Sequence, residues 1–254
     1  MAPPRPSFGA EQMLAAMDAI GVNRAVIVPP VWAGDQNTTA FEATERYPDR
    51  LAIVGRFDPF APGAREQIKG WLEQPHMLGI RMSGRWQTRP VQFLEALADG
   101  SLDWYWAECE RLGIPLMVLT QAQVRLLEPL ATRHPGLTLI VDHMSGVGPA
   151  SPPELLDDLV ALARHPRLYV KVGGGPNRSR EAYPFRDVHP LLRRLYDSFG
   201  PRRLLWEADI TQLTKNTYAE CLRLWQEGLP FLSAEDKEWV LGRTAAEVLK
   251  WPEA

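Results

Sequence analysis

Apolar residues fall along this chain in two rhythms. Short runs of consecutive apolar positions lie at 25–28, 51–55, 79–82, 116–119, 138–142, 168–172 and 204–207. Between them, apolar residues return every three or four positions, at 10–20, 39–47, 64–72, 91–98, 104–112, 124–133, 153–164 and 188–199, then at 218–227 and 234–249. The first rhythm predicts strands buried on both faces, and the second predicts the helices that cover them. Punctuation agrees with several of these boundaries. Gly21 and Gly113 follow their segments as C-terminal caps, and Ser233-Ala-Glu-Asp236 reads as an N-cap with acids in the first turn. Proline-marked stops at Tyr47-Pro48, His134-Pro135 and His165-Pro166 each precede a strand.

Repeated strand–helix units predict an α/β fold with helices outside a parallel sheet. Seven strands are one short of a closed (β/α)8 barrel, and a doubly wound sheet can also hold seven. That second fold sets a glycine-rich phosphate loop after its first strand, and no GxGxxG follows Val28. A TIM-like (β/α)8 barrel lacking one strand is therefore expected. No linker, low-complexity tract or compositional shift divides residues 1–254, so a single domain is expected throughout.

Composition narrows the function classes. The chain is 45% hydrophobic, enough for one large core, and its formal net charge is -3. It has no basic surface to suggest nucleic acid and no polybasic run to suggest anionic lipid. Cys109 and Cys221 lie in charge-rich helical segments without CxxC spacing, which reads as a reduced chain with neither disulfide nor zinc knuckle. Its longest apolar stretches are strand-sized, and the first six residues lack the apolar centre of a secretory signal. The expectation is a soluble cytoplasmic protein with a small-molecule partner. Nine tryptophans and an open sheet edge leave room for a homodimer.

The candidate chemistry sits at strand ends, where barrel enzymes assemble their sites. His143 closes the run Leu137-Thr-Leu-Ile-Val-Asp-His143, and Asp142 beside it either orients the imidazole or faces the helices. Asp209 follows the strand at 204–207 and reads as a general base, a metal ligand or a helix N-cap. Glu207, two residues earlier, is a weaker candidate on the same side. Arg81 ends an apolar strand and suits an anion, whereas Arg85 serves either a substrate or a structural salt bridge. Lys171, a candidate substrate contact, precedes Gly173-Gly-Gly-Pro-Asn-Arg178, where the glycines permit close backbone approach to a ligand and Arg178 adds an anion contact. This segment is not a P-loop. His76, His134, His165 and His189 lie in loops or at helix ends, and neither HExxH nor GxSxG occurs.

With these residues in view, the chain resembles the amidohydrolase-related family of barrel hydrolases and decarboxylases. The resemblance rests on Met17–Val28, Tyr47–Gly55, Gly79-Ile-Arg81, Ile140-Val-Asp-His143, Leu168-Tyr-Val-Lys171, Phe199–Trp206 and a closing segment at 241–249. It covers nearly the whole chain. It implies a barrel whose first strand carries His-x-His, with further histidines after the fifth and sixth strands and an Asp after the eighth. Here the first strand and its His-x-His are missing, and Leu119 stands where metal-binding members have His. Only His143 and Asp209 carry over.

The resemblance then implies a metal-independent lactonase, similar to 2-pyrone-4,6-dicarboxylate hydrolase, with no cofactor. In that reading Asp209 activates water, His143 polarises the carbonyl, and Arg81 and Arg178 hold anionic groups of a carboxylated lactone or cyclic amide. Two readings remain beside it: a divalent-metal (zinc) decarboxylase or amidohydrolase with a truncated N-terminus, and a non-catalytic barrel that binds a small acid.

Overall fold

A computed structural model describes residues 8–30, 37–83 and 93–252. Its framework is one parallel seven-stranded sheet in strict sequence order: β1 (Ala25–Ile27), β2 (Leu51–Arg56), β3 (Met77–Met82), β4 (Leu116–Val118), β5 (Leu139–Val141), β6 (Leu168–Lys171) and β7 (Leu204–Leu205). Every strand falls inside or against one of the seven apolar runs. Unbroken neighbour-to-neighbour order, with a helical crossover at each step, is the topology of a (β/α) barrel rather than of a doubly wound sheet.

The two-residue period of a strand divides the side chains between two apolar layers. Ile53, Ile80, Leu116, Val118, Leu139, Val141, Leu168, Val170 and Leu204 join the large core beneath the helices. Their neighbours Val54, Met117, Ile140 and Leu205, with Val26, Leu78 and Tyr169 packed on them, form a separate interior cluster. The sheet thus curls around a filled centre. Ala245, Val248 and Leu249 belong to that same cluster, so the last helix packs into the interior.

Helices end where the sequence punctuates them. The helix Asp103–Leu112 stops at Gly113, whose φ of 67° is the left-handed cap geometry. The helix Ala234–Glu238 starts on Ser233, whose hydroxyl accepts the Asp236 N–H while the Asp236 carboxylate receives the Ser233 N–H. The expected helices at 64–72, 218–227 and 234–249 are less regular than their patterns imply. The first breaks into Ala64–Gln67 and a tighter turn, Ile68–Glu73, that departs from helical geometry at Gly70. The other two contain five-residue π-helical stretches, Leu224–Gly228 and Trp239–Arg243. Within the second, the Val240 carbonyl accepts the Trp206 N–H at 2.8 Å, so a helix supplies a partner at the edge of β7. No helix among the described residues is long and apolar enough to cross a membrane.

Candidate active site

Alternation along the strands also builds the site. Arg56, Asp142, Lys171 and Glu207 stand two positions beyond the inward-facing Val54, Ile140, Tyr169 and Leu205, and Arg81 pairs in register with Arg56. The carboxyl-terminal mouth of the curled sheet is therefore a ring of charge laid on an apolar floor. Arg56, Asp142 and Lys171 are buried.

Four of these side chains and His143 form one connected row. Arg81 Nε lies 2.9 Å from Asp142 Oδ2 as an ion pair without an aligned hydrogen bond. Lys171 Nζ donates to Asp142 Oδ1 at 2.8 Å and sits 2.7 Å from Glu207 Oε2. Glu207 Oε1 lies 2.6 Å from His143 Nδ1. Opposite charges thus alternate from Arg81 to the imidazole. His143 turns its other nitrogen, Nε2, toward Asp209 Oδ2 at 4.0 Å. That is too long for a direct hydrogen bond.

Local strain makes this arrangement reachable. In an extended chain, Asp142 and His143 would point to opposite faces. Instead His143, Met144 and Ser145 all adopt left-handed geometry, with φ of 50°, 53° and 55°, before Gly146 at 84°. Such residues cost roughly 1–2 kcal/mol each and normally occur singly. The turn is held from three directions. Ser145 O accepts the Ala122 N–H, the Ser145 and Thr120 hydroxyls share a short hydrogen bond, and Arg178 Nε donates to Gly146 O at 3.1 Å. Asp209 is left-handed as well, with φ of 48°.

The electrostatics follow from burial and these partners. Burial pushes the Asp142 carboxyl up, but Lys171 and Arg81 outweigh it and hold the group well below the usual carboxylate range. Glu207 is also lowered, because Lys171 and His143 overcome its burial. Lys171 is raised despite its burial, since two carboxylates face it. Burial alone would lower His143, yet the Glu207 carboxylate and its hydrogen bond raise the imidazole overall. Asp209 is raised, chiefly by burial, with His143 acting in the opposite sense.

Of the residues singled out in the sequence, His143, Asp209, Arg81 and Lys171 converge here. Arg178 stays outside the row, its Nε spent on the strained turn. Arg85 lies outside the described residues. Lys171, read as a substrate contact, is enclosed between two carboxylates of the chain itself. The backbone approach permitted at Gly173 is likewise internal: a Cβ there would stand 1.5 Å from Glu207 O. Asp142 neither orients the imidazole nor faces the helices, and Glu207 takes the orienting position. Arg56 closes β2 one residue beyond the apolar run at 51–55, and sequence reasoning misses it there. Its signal was the same as that of Arg81, a lone cation closing an apolar strand. Arg56 hydrogen-bonds to Ser83 Oγ and Ser83 O, both at 3.3 Å.

A divalent metal, which the resemblance allows as an alternative, would find its nearest described donor set in Asp142, His143 and Glu207, whose ligand atoms lie within 4.8 Å of one another. The set does not fit a metal as it stands. All four carboxylate oxygens already face a cation or the imidazole, and the Lys171 ammonium bridges the two acids.

Comparison with known proteins agrees with the fold. A curated relative, the 4-sulfomuconolactone hydrolase of Hydrogenophaga intermedia, is 29% identical over 213 residues, covering 82% of this chain and 66% of its own length. The chain thus spans just under two thirds of that relative. An amidohydrolase from Burkholderia multivorans with bound zinc superposes with a TM-score of 0.80 at 22% identity, over 97% of this chain and 89% of the other. A probable 2-pyrone-4,6-dicarboxylic acid hydrolase from Acinetobacter baumannii, with citric acid bound, gives 0.77 at 14% identity, over 99% and 94%. The amidohydrolase family model matches residues 2–251, and the chain belongs to that family.

Proposed function

We propose that the protein is a hydrolase that opens a small carboxylated lactone by adding water at the ring carbonyl, without a metal. The observation that carries this reading is the His143–Asp209 pair. An imidazole oriented by Glu207 and a carboxyl raised by burial face each other across 4.0 Å at the mouth of the barrel. That gap accommodates a water or a substrate oxygen between them. The name of the 4-sulfomuconolactone hydrolase relative supports lactone chemistry.

In this mechanism Asp209 takes a proton from the attacking water, and its hydroxyl bonds to the acyl carbon. His143, protonated and held by Glu207, donates from Nε2 to the carbonyl oxygen as negative charge develops there. Collapse of the tetrahedral adduct returns the carbonyl-oxygen proton to His143 and breaks the ring C–O bond, and the leaving oxygen takes up the proton that Asp209 removed from water. The product is the ring-opened hydroxy acid, with one proton released to solvent near neutral pH. Arg81 turns its guanidinium to the substrate carboxylate, its Nε anchored on Asp142.

The test is proton release from a panel of γ- and δ-lactones, each with and without a carboxylate. Turnover confined to the carboxylated members, and lost in D209N, is expected. Turnover by D209N at the wild-type rate would remove Asp209 from the mechanism.

A further inference from the structure

We infer that the Lys171 ammonium is the resident cation of this centre, occupying the place between Asp142 and Glu207 that a divalent metal would take on the donor set Asp142, His143 and Glu207, and excluding one from it. This deepens the metal-free reading above and rests on it. Lys171 Nζ contacts Asp142 Oδ1 at 2.8 Å and Glu207 Oε2 at 2.7 Å, so a single cation already bridges the two buried acids. A zinc ion on those same oxygens would lie about 2.0–2.2 Å from each. It would therefore overlap the ammonium, and the two cannot share the site.

The remaining oxygens close the other routes. Asp142 Oδ2 faces Arg81 Nε, and Glu207 Oε1 faces His143 Nδ1. A metal would have to displace Lys171 while leaving an ammonium in a buried site beside a second cation, Arg81. The lysine stem reaches this point from the inward face of β6, on the same side as Tyr169 one layer below. Its position is set by the strand and not by a mobile loop. Two consequences follow. The carboxylate that orients His143 is held by a covalently attached charge, so the geometry is independent of metal supply. Removing that charge leaves two acids and an imidazole whose ligand atoms lie within 4.8 Å of one another, which is a metal-binding set.

The experiment measures metal content and thermal midpoint for wild type, K171A and K171R after equilibration with zinc or manganese and desalting. Wild type and K171R are expected to hold substoichiometric metal and to melt unchanged. K171A is expected to take up one ion per chain and to melt higher with metal, an effect a chelator reverses. Stoichiometric metal on wild type that D142N abolishes would overturn the assignment, as would folded K171A that takes up none. Should K171A not fold with or without metal, wild type decides: metal lost in D142N overturns the assignment, and none supports it. Because metal is counted without substrate, the two proposals fail separately. A metal-free wild type inert toward every lactone sinks only the hydrolase reading.

Discussion

Glu207 Oε1 stands 2.6 Å from His143 Nδ1, and this single contact fixes which imidazole nitrogen faces the reaction space. With Nδ1 committed to the carboxylate, Nε2 is the nitrogen that meets Asp209. E207Q is expected to lower kcat by roughly 10²–10³, within the range general acid–base groups contribute. It should also shift the alkaline limb of the pH profile to lower pH. Glu207 is what raises His143 against the lowering effect of burial, so its loss lets the imidazole titrate earlier. A kcat–pH profile of the variant checks both parts.

Gly173 allows the chain to leave β6 beside β7. Any Cβ there would meet Glu207 O at 1.5 Å and Glu207 Cγ at 2.7 Å, which no rotamer change relieves because one of the clashing atoms is backbone. G173A is therefore expected to destabilise the protein by about 1–3 kcal/mol or more, the cost of overpacking a filled site. Activity should fall further than stability alone explains, since Glu207 is the group displaced. Denaturant melts read beside kcat separate the two effects.

Arg178 serves the left-handed turn that brings Asp142 and His143 to one site. Its Nε bond to Gly146 O is charge-assisted, and R178A is expected to cost about 1.5–3 kcal/mol. In the same variant kcat should fall more than KM rises, because the turn carries His143. A predominant rise in KM would instead make Arg178 a substrate contact.

Stability should peak in mildly acidic solution. Asp142 and Glu207 are lowered in the folded protein, so their contribution is complete above their unfolded values of about 3.9 and 4.3 and is lost as pH falls through the folded ones. His143 is raised, so its contribution is present below about 6.5 and is lost as pH rises through the folded value. Asp209, also raised, contributes below about 3.9 and loses that as pH rises, which makes the rise on the acid side of the peak shallower. Thermal midpoints should decline above about pH 6.5, the unfolded His value, and H143N should flatten that decline.

The fold was legible because its signals are periodic. Runs apolar on both faces mark covered parallel strands, and all seven appear where the pattern puts them. The site was legible only in part. His143, Asp209 and Arg81 lie at or just past the ends of their strands and can be seen as such. The partnership of Glu207 with His143 depends on a three-residue left-handed turn, and residues such as Met144 and Ser145 carry no local preference that announces one. The glycines after Lys171 were legible as a close approach, but a sequence does not tell whether the approaching group is a ligand or the chain itself. The same holds for Lys171: a lysine at a strand end reads as a free cation until the acids on the neighbouring strands are placed.

The central claim is metal-free lactone opening by Asp209 and His143. Its most direct measurement is kcat/KM for a carboxylated lactone on chelator-treated, metal-verified protein, wild type against D209N. The account predicts full activity without metal and a loss of about 10²–10⁴ in D209N. Activity that vanishes on chelation and returns with added zinc or manganese would contradict it, as would a D209N protein as active as wild type.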